Sequence, residues 1–132
     1  MALKRTSLGD IQTVTGVATV GIFTAGVNAT PVGIASTTYI KGALFHNTGV
    51  STCKTSMYVY PDTTPITGTA VTAYRILSVD MNPSETFSFE PSYPIVLTGS
   101  DSIAIEVSGT GDFSGISSSI NVILVGDTDI SS

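Results

Sequence analysis

The stretch that decides the fold is residues 102–108, which read Ser-Ile-Ala-Ile-Glu-Val-Ser. Large apolar side chains alternate there with small or polar ones, a period of two that is typical of a β-strand with one face in a core. The same alternation occurs in residues 86–90 (Thr-Phe-Ser-Phe-Glu) and in residues 53–60 (Cys-Lys-Thr-Ser-Met-Tyr-Val-Tyr). Helical periodicity is absent throughout the chain, so these segments predict an antiparallel β protein.

The composition agrees with this prediction. The 132 residues include 26 Val plus Ile and 20 Thr, against only 6 Leu, and β-branched side chains suit a pleated sheet. Short apolar runs recur between Gly, Pro, Asn, Asp or Ser, as in sandwiches and barrels. We predict a single antiparallel β-sandwich, jelly-roll or immunoglobulin-like, with about eight or nine strands. The predicted strands lie near residues 11–15, 17–24, 37–46, 53–60, 70–80, 85–90, 94–98, 102–108 and 118–125.

The predicted domain spans residues 11–126, because neither an internal repeat nor a linker divides the chain. Residues 127–132 are predicted to be a short tail. Residues 1–10 are predicted to be an attachment arm, since they hold Lys4 and Arg5 but too little apolar surface to order themselves. Such an arm could bind a partner by adding a strand to its sheet. A plain disordered terminus and a first strand of the sandwich are the two alternatives.

Charge and apolar patterning exclude several classes of partner. The formal net charge is −5, from ten acidic and five basic residues, so no basic stripe is available for nucleic acid or for an anionic membrane surface. The longest uncharged apolar stretch, residues 14–27, is interrupted by Thr and Gly, and no window approaches a membrane-spanning helix. No continuous apolar segment follows the basic N-terminus, which argues against a secretory signal.

Few residues are available for catalysis. The single histidine, His46, precedes Asn47 in a turn, so we interpret it as a surface turn residue and not as the base of a catalytic triad. The single cysteine, Cys53, excludes an internal disulfide or a multi-cysteine zinc site and is expected to be a small buried hydrophobe. Glu85 and Glu90 are five residues apart on one strand and therefore face opposite ways, unlike the paired carboxylates of glycosidases.

The remaining acidic residues offer only a weak cation site. Asp127 and Asp129 share one face of an extended chain and could hold an ion together with Asp101 or Asp112. Calcium takes six to eight oxygen ligands, and no loop here supplies that density. We therefore expect a solvated acidic tail, no metal, no cofactor and no enzymatic activity.

Candidate interface residues come from two strands and the arm. Tyr58 and Tyr60 lie on the strand face opposite Met57, and tyrosine is enriched at protein interfaces; the alternative is that both faces of this strand are buried. Residues 120–125 are apolar on both faces, so that strand is either central or covered by a partner. The predicted interface residues are Lys4, Arg5, Tyr58, Tyr60, Tyr74, Ile123 and Val125.

Three turns follow one another in the second half of the chain. They are His46-Asn47-Thr48-Gly49, then Asn82-Pro83-Ser84-Glu85-Thr86 before an aromatic strand, then Thr98-Gly99-Ser100-Asp101 before Ile103. In this order, residues 37–125 resemble small β-sandwich virion proteins of tailed bacteriophages. In those proteins an Asn-Thr-Gly turn, a Pro-Gly-Glu-Thr turn and a Gly-Asp turn recur. Two positions depart from that pattern: Ser84 replaces the usual Gly, and Ser100 lengthens the last turn by one residue.

The resemblance implies a structural component of a phage particle and carries over no functional residues. A capsid decoration (cement) protein bound to the major capsid protein or other virion proteins is the first expectation. A neck, tail or fibre subunit is the alternative, and a carbohydrate-binding or adhesin module ranks below both because the chain has no Trp. Self-association is expected, with a trimer favoured by the resemblance alone. The implied location is the virion, after synthesis in the host cytoplasm.

Overall fold

The computed structural model describes residues 2–7, 11–16, 18–25, 36–61, 66, 71–98, 101–109 and 118–130. This part of the chain forms ten β-strands and one short 3₁₀ turn, Thr72–Tyr74, so the predicted all-β fold class is confirmed. Nine strands coincide with the predicted ones, and the tenth lies in the predicted arm. The strands are β1 (Ala2–Ser7), β2 (Gln12–Thr15), β3 (Ala18–Thr24), β4 (Ser36–Asn47), β5 (Cys53–Tyr60), β6 (Arg75–Met81), β7 (Thr86–Phe89), β8 (Ile95–Thr98), β9 (Ser102–Ser108) and β10 (Ser119–Ile130).

The strands form two antiparallel sheets that pack face to face. In sheet A, β10 and β4 are central; β1 and β2 both pair with the free side of β10, and β7 and β8 both pair with the free side of β4. Sheet B has the order β3-β9-β5-β6. Strands β1 and β2 share one position of sheet A, and β7 and β8 share another, so the ten strands occupy eight positions. Numbered along the chain, these positions have the order 1-8-3-6 in sheet A and 2-7-4-5 in sheet B. This order is that of a jelly roll.

The core lies between the two sheets and is filled by the inward residues that the alternation predicts. Ile103, Ile105 and Val107 of β9 are fully buried, as are Ile120 and Phe45 on the facing sheet. The ring of Phe45 lies 6.3 Å from that of Phe87, between centroids. Because buried side chains of both sheets belong to one contiguous cluster, hydrophobic burial holds the two sheets together.

The two ends of the chain lie in sheet A, which corrects the predicted domain limits. Residues 2–7 pair with β10, from Ala2 opposite Ile130 to Ser7 opposite Val125. The segment expected to be an arm outside the fold is therefore placed as its first strand, the second of the two alternatives. Since these pairs are backbone hydrogen bonds, an apolar pattern was not needed to form them. The expected tail is also wrong in part, because β10 continues to Ile130.

Asp127 corrects the expectation of a solvated acidic tail. Its side chain is only 2% exposed, and its carboxylate forms an ion pair with Lys41, with 2.5 Å between Oδ2 and Nζ. The register of β4 against β10 shifts beside Lys41, because Gly42 pairs with Val125 while Ile40 pairs with Gly126. Lys41 is the extra residue of this bulge, and bulges re-aim side chains. Pairing with a cation is what makes a buried carboxylate tolerable.

The turn between β6 and β7 explains one departure from the resembled pattern. The Glu85 N–H donates to the Asn82 carbonyl at 3.1 Å, with Pro83 second and Ser84 third in the turn. The φ angle of Ser84 is +67°, the left-handed conformation that the third position of a type II turn requires and that glycine adopts most easily. The backbone conformation of Ser84 is therefore the one that favours the Gly found at this position in the resembled proteins.

We expect Ser84→Gly to stabilise the protein by about 0.5–1 kcal/mol. The left-handed region costs a residue with a Cβ about 1–2 kcal/mol, and the greater freedom of Gly in the unfolded chain offsets part of the gain. Urea unfolding measures the change. Ser88→Gly is the control, because it places the same substitution inside β7, where Gly is expected to destabilise by about 0.5–1 kcal/mol. Destabilisation by Ser84→Gly would contradict the argument.

Candidate functional site

The predicted aromatic surface on β5 is buried in this chain. Tyr58 and Tyr60 are 1% and 0% exposed and form a small cluster with Ala104, against which Ile66 and Tyr74 pack. The rings of Tyr60 and Tyr74 meet edge to face, 5.2 Å apart between centroids, and the Tyr60 hydroxyl accepts the Val71 N–H at 3.0 Å. Both faces of β5 are therefore buried, which is the alternative that the sequence left open. Tyr58 and Tyr60 are not available to a partner.

The Tyr58 hydroxyl donates a hydrogen bond of 2.7 Å to Oε1 of Glu106 on β9. Burial raises the pKa of the Tyr58 phenol above its ordinary value, and the hydrogen bond to Glu106 and its negative charge raise it further. The nearby Arg75 guanidinium acts in the opposite direction. The neutral phenol is thus favoured more strongly in the folded protein than in the unfolded chain.

We expect Tyr58 to make the protein sensitive to alkali. A raised pKa in the folded state gives stability that is fully present below about pH 10, the pKa of an unfolded tyrosine, and is lost as pH rises through the folded value. Tyr58→Phe is therefore expected to flatten the fall in unfolding free energy between about pH 9 and the alkaline limit of the fold, and Tyr39→Phe serves as the control for the loss of a hydroxyl outside the buried tyrosine cluster. Denaturant unfolding across this range measures both, and identical alkaline profiles for Tyr58→Phe and the parent would refute the link.

The outer face of sheet A carries an apolar patch that water reaches. Leu44 on β4 and Ile123 on β10 are direct cross-strand neighbours. Val125 lies beside Gly42, whose missing Cβ would come within 3.2 Å of the valine methyl group. We call this patch the apolar face. Its members, with the exposed fraction where it is large, are Ile11 (63%), Val96 (53%), Leu44 (45%), Val125 (44%), Ile123 and Tyr39.

Polar side chains close one end of the apolar face. His46 Nδ1 and Thr86 Oγ1 share a hydrogen bond of 2.7 Å, and Thr13 donates to Asn121 Oδ1, also at 2.7 Å. A shallow depression of about 200 Å³ lies between them, lined by Ile11, Leu44, His46, Asn121, Val122 and Ile123. His46 is thus a half-buried residue at the end of β4, not a turn residue, and among the described residues its ring nitrogen bonds to Thr86 and not to the orienting carboxylate that a triad base needs.

The outer face of sheet B differs sharply from that of sheet A. Beyond the buried tyrosine cluster it presents Lys54 on β5, Arg75, Ile76, Ser78 and Asp80 on β6, and the half-buried Glu106 on β9. Ser56 and Ser78 share a hydrogen bond of 3.1 Å between their hydroxyls. A polar, charged outer face is what an antiparallel sheet presents to water. Among the described residues, a patch of several exposed apolar side chains occurs on sheet A and not on sheet B, which marks sheet A as the candidate contact surface.

Asn47 joins two of the turns on which the resemblance rests. Its side chain is fully buried; Nδ2 donates to the carbonyls of Met81 at 3.0 Å and Ser51 at 3.1 Å, while Oδ1 accepts the Gly49 N–H at 2.9 Å. Its backbone N–H donates to the Glu85 carbonyl, and its carbonyl accepts the Ser84 N–H, both at 2.9 Å. We call this arrangement the turn junction. It makes the Asn-Thr-Gly turn and the Asn-Pro-Ser-Glu turn one structural unit.

The other candidate residues that the structure describes do not converge on a chemical site, and Asp112 lies outside the described residues. Cys53 is buried in the core, as the sequence indicates, and Glu85 and Glu90 are exposed beyond the two ends of β7. Within the described residues, no group of three or more His, Cys, Asp and Glu side chains could hold a metal ion. In the same part of the chain, no helix is long and apolar enough to cross a membrane.

The predicted interface residues are thus divided by the structure. Ile123 and Val125 belong to the apolar face, Tyr58 and Tyr60 are buried, and Tyr74 packs against them. Lys4 and Arg5 lie on β1, at one edge of sheet A. The sequence analysis missed Ile11, Leu44 and Val96; the apolar run Ala43-Leu44-Phe45, which breaks the alternation of β4, was the signal for Leu44.

Comparison with known proteins adds no family to this description. No protein-family model matches the chain, and no curated protein matches its sequence significantly.

Proposed function

We propose that this chain is a non-enzymatic structural subunit of a tailed bacteriophage virion. Its first role on this proposal is that of a capsid decoration protein, which stabilises the head through contacts with the major capsid protein. The same fold in a neck, tail or fibre position of the particle is the second possibility. On this proposal the chain acts through its contacts with other virion proteins and catalyses no reaction.

The observation that carries the proposal is the contrast between the two outer faces. A protein that works alone in water gains nothing from exposing Leu44, Ile123 and Val125 side by side, whereas large exposed apolar patches accompany protein–protein contacts. The patch has an apolar centre and a polar rim of mostly hydroxyl residues together with the Lys41–Asp127 ion pair, and an apolar centre with a polar rim is common in interfaces. The exposed members of that rim include Thr13, Thr15, Thr86, Ser88 and Thr98.

Two further features support a virion component over other classes. The jelly roll is a fold of viral capsid proteins, although lectins share it, so fold alone is only an analogy. The turn junction at Asn47 shows that two of the motifs shared with the resembled phage proteins hold the fold together. This supports a resemblance in fold. A carbohydrate-binding module would present several aromatic rings on one platform. Of the described aromatic residues, only Tyr93 is exposed.

The test is binding to the particle. Recombinant protein is mixed with empty capsids of the phage whose genome encodes it, and co-sedimentation through a density cushion is measured. We expect saturable binding at a fixed number of copies per capsid. Cryo-electron microscopy of the intact particle then distinguishes a head position from a neck, tail or fibre position. Absence of the chain from purified virions would refute the proposal.

A further inference from the structure

We propose that two copies of this chain pair through β6, edge to edge, so that their B sheets join across a two-fold axis. β6 is an edge strand of sheet B, and among the described residues it pairs with β5 alone. The backbone N–H and C=O groups on its other side are a template that a further strand can complete. The occupant is β6 of a second copy. This contact does not depend on the proposed function, because it requires no other virion protein.

The other sheet edges suit such pairing less well. In sheet A, β1 and β2 are separated by residues 8–11, and β7 and β8 by residues 90–94. β1 also carries Lys4 next to Arg5, so its pairing with a second β1 would oppose like charges. In sheet B, β3 has a bulge near its middle, a feature that turns edges away from pairing. β6 instead keeps an unbroken register against β5 over residues 77–81.

The alternation of β6 limits the register of the pair. Residues opposite one another must lie on the same face, because a shift by one residue exchanges the two faces. An antiparallel pair centred on Ser78 places Asp80 of each copy opposite the bulge formed by Arg75 and Ile76 of the other. Asp80 and Arg75 are both exposed, so an acidic and a basic side chain meet twice, and such pairs stabilise a sheet. A pair centred one residue to either side would lose this match.

The inward residues of β6 still expose apolar surface at this edge. Leu77 and Val79 pack against the core cluster between the sheets but are only partly buried. In the same register Leu77 of each copy lies opposite Val79 of the other, so both side chains lose contact with water. Ile76, the extra residue of the bulge, is 42% exposed and lies on the same edge. The two cores then continue across the axis, which adds hydrophobic burial to the charge pairing.

The charges on the outer face of sheet B allow the contact. The formal net charge of −5 makes two copies repel each other in general. On the described part of this face, however, Lys54 and Arg75 balance Asp80 and Glu106. The excess of negative charge therefore lies elsewhere on the molecule, and approach along β6 brings no excess of like charge together.

Sedimentation velocity of the full chain measures the association. A single strand pair is at the small end of interface sizes, so we expect a micromolar dissociation constant and a measurement between about 1 and 100 μM. A two-fold contact closes with two copies. The parent is therefore expected at twice 13.6 kDa, not at the threefold mass that the resemblance favours.

Charge reversal on β6 tests the register. Asp80→Arg and Arg75→Asp each turn two attractive pairs into two repulsive ones, and each is expected to raise the dissociation constant by about 10-fold or more. The double variant restores opposite charges and is expected to return the constant to within about 3-fold of the parent. Glu90→Arg is the matched control, since it makes the same charge change at the edge of sheet A and is expected to leave association unchanged. Thermal unfolding confirms that each variant is folded.

Backbone hydrogen exchange locates the contact without any substitution. From about 1 to 100 μM, amide exchange in β6 is expected to slow, while exchange in β7, at the edge of sheet A, stays the same. A parent that stays at 13.6 kDa, or that associates without slower exchange in β6, would overturn this inference, as would a folded double variant that does not recover association. A monomeric parent that binds capsids leaves the proposed function standing, and a β6 dimer that is absent from virions refutes the proposed function alone.

Discussion

Asn47→Ala is expected to lower the free energy of unfolding by about 3 kcal/mol. The amide is fully buried and makes three hydrogen bonds to backbone groups, donating to Met81 and Ser51 and accepting from Gly49. An alanine leaves those buried groups without partners, and each such group costs about 1–3 kcal/mol. Denaturant unfolding at neutral pH measures the loss.

Two further variants show that the hydrogen bonds, and not the volume, cause the effect. Asn47→Asp is nearly isosteric but replaces the donor nitrogen with an acceptor that faces two carbonyl oxygens, so its loss is expected to equal or exceed that of alanine. Asn82→Ala is the control in the adjoining turn, where the exposed Asn82 side chain accepts the Thr52 hydroxyl at 3.1 Å; its expected cost is below about 1 kcal/mol. Equal losses for Asn47→Ala and Asn82→Ala would contradict the role of the turn junction.

The strands could be predicted because each depends on local alternation. In β9 and β7 every second residue is large and apolar, and those residues face the core whatever strand lies beside them. β10 shows how far this reasoning extends. Its residues 120–125 are apolar on both faces, which required either a central position or a cover, and the structure shows the central position with Ile123 and Val125 on the apolar face.

Pairing could not be predicted, because it depends on the partner strand. Residues 126–130 (Gly-Asp-Thr-Asp-Ile) lack an apolar alternation, yet they continue β10 because β1 and β4 supply hydrogen bonds on both sides. The burial of Tyr58 and Tyr60 depends on Ile66 and Tyr74, which lie after β5 and outside its alternation. Asn47 was recognised only as a turn former, because the same residue type serves exposed turns and buried junctions. The assignment of a virion role stays a prediction.

Lys41→Met is expected to lower the free energy of unfolding by about 2 kcal/mol. Asp127 is buried at 2% exposure, and Lys41, itself 46% exposed, is its ion-pair partner. Removing one member of a buried pair costs about 3–5 kcal/mol, and solvent access to Lys41 reduces that figure here. Methionine keeps the length of the side chain, so the packing of the aliphatic stem over sheet A is preserved.

The matched control for this substitution is Lys54→Met. Lys54 is also an exposed lysine on a sheet, opposite Asp80 on β6, so its removal changes the net charge equally, but an exposed pair contributes at most about 1 kcal/mol. Adding Asp127→Asn to Lys41→Met removes the buried charge as well and is expected to recover at least about 1 kcal/mol of the loss. Equal losses for Lys41→Met and Lys54→Met, or a further loss in the double variant, would show that the buried carboxylate does not depend on Lys41. The expected recovery instead would show that the second half of β10 is held in sheet A by this pair as well as by its backbone hydrogen bonds.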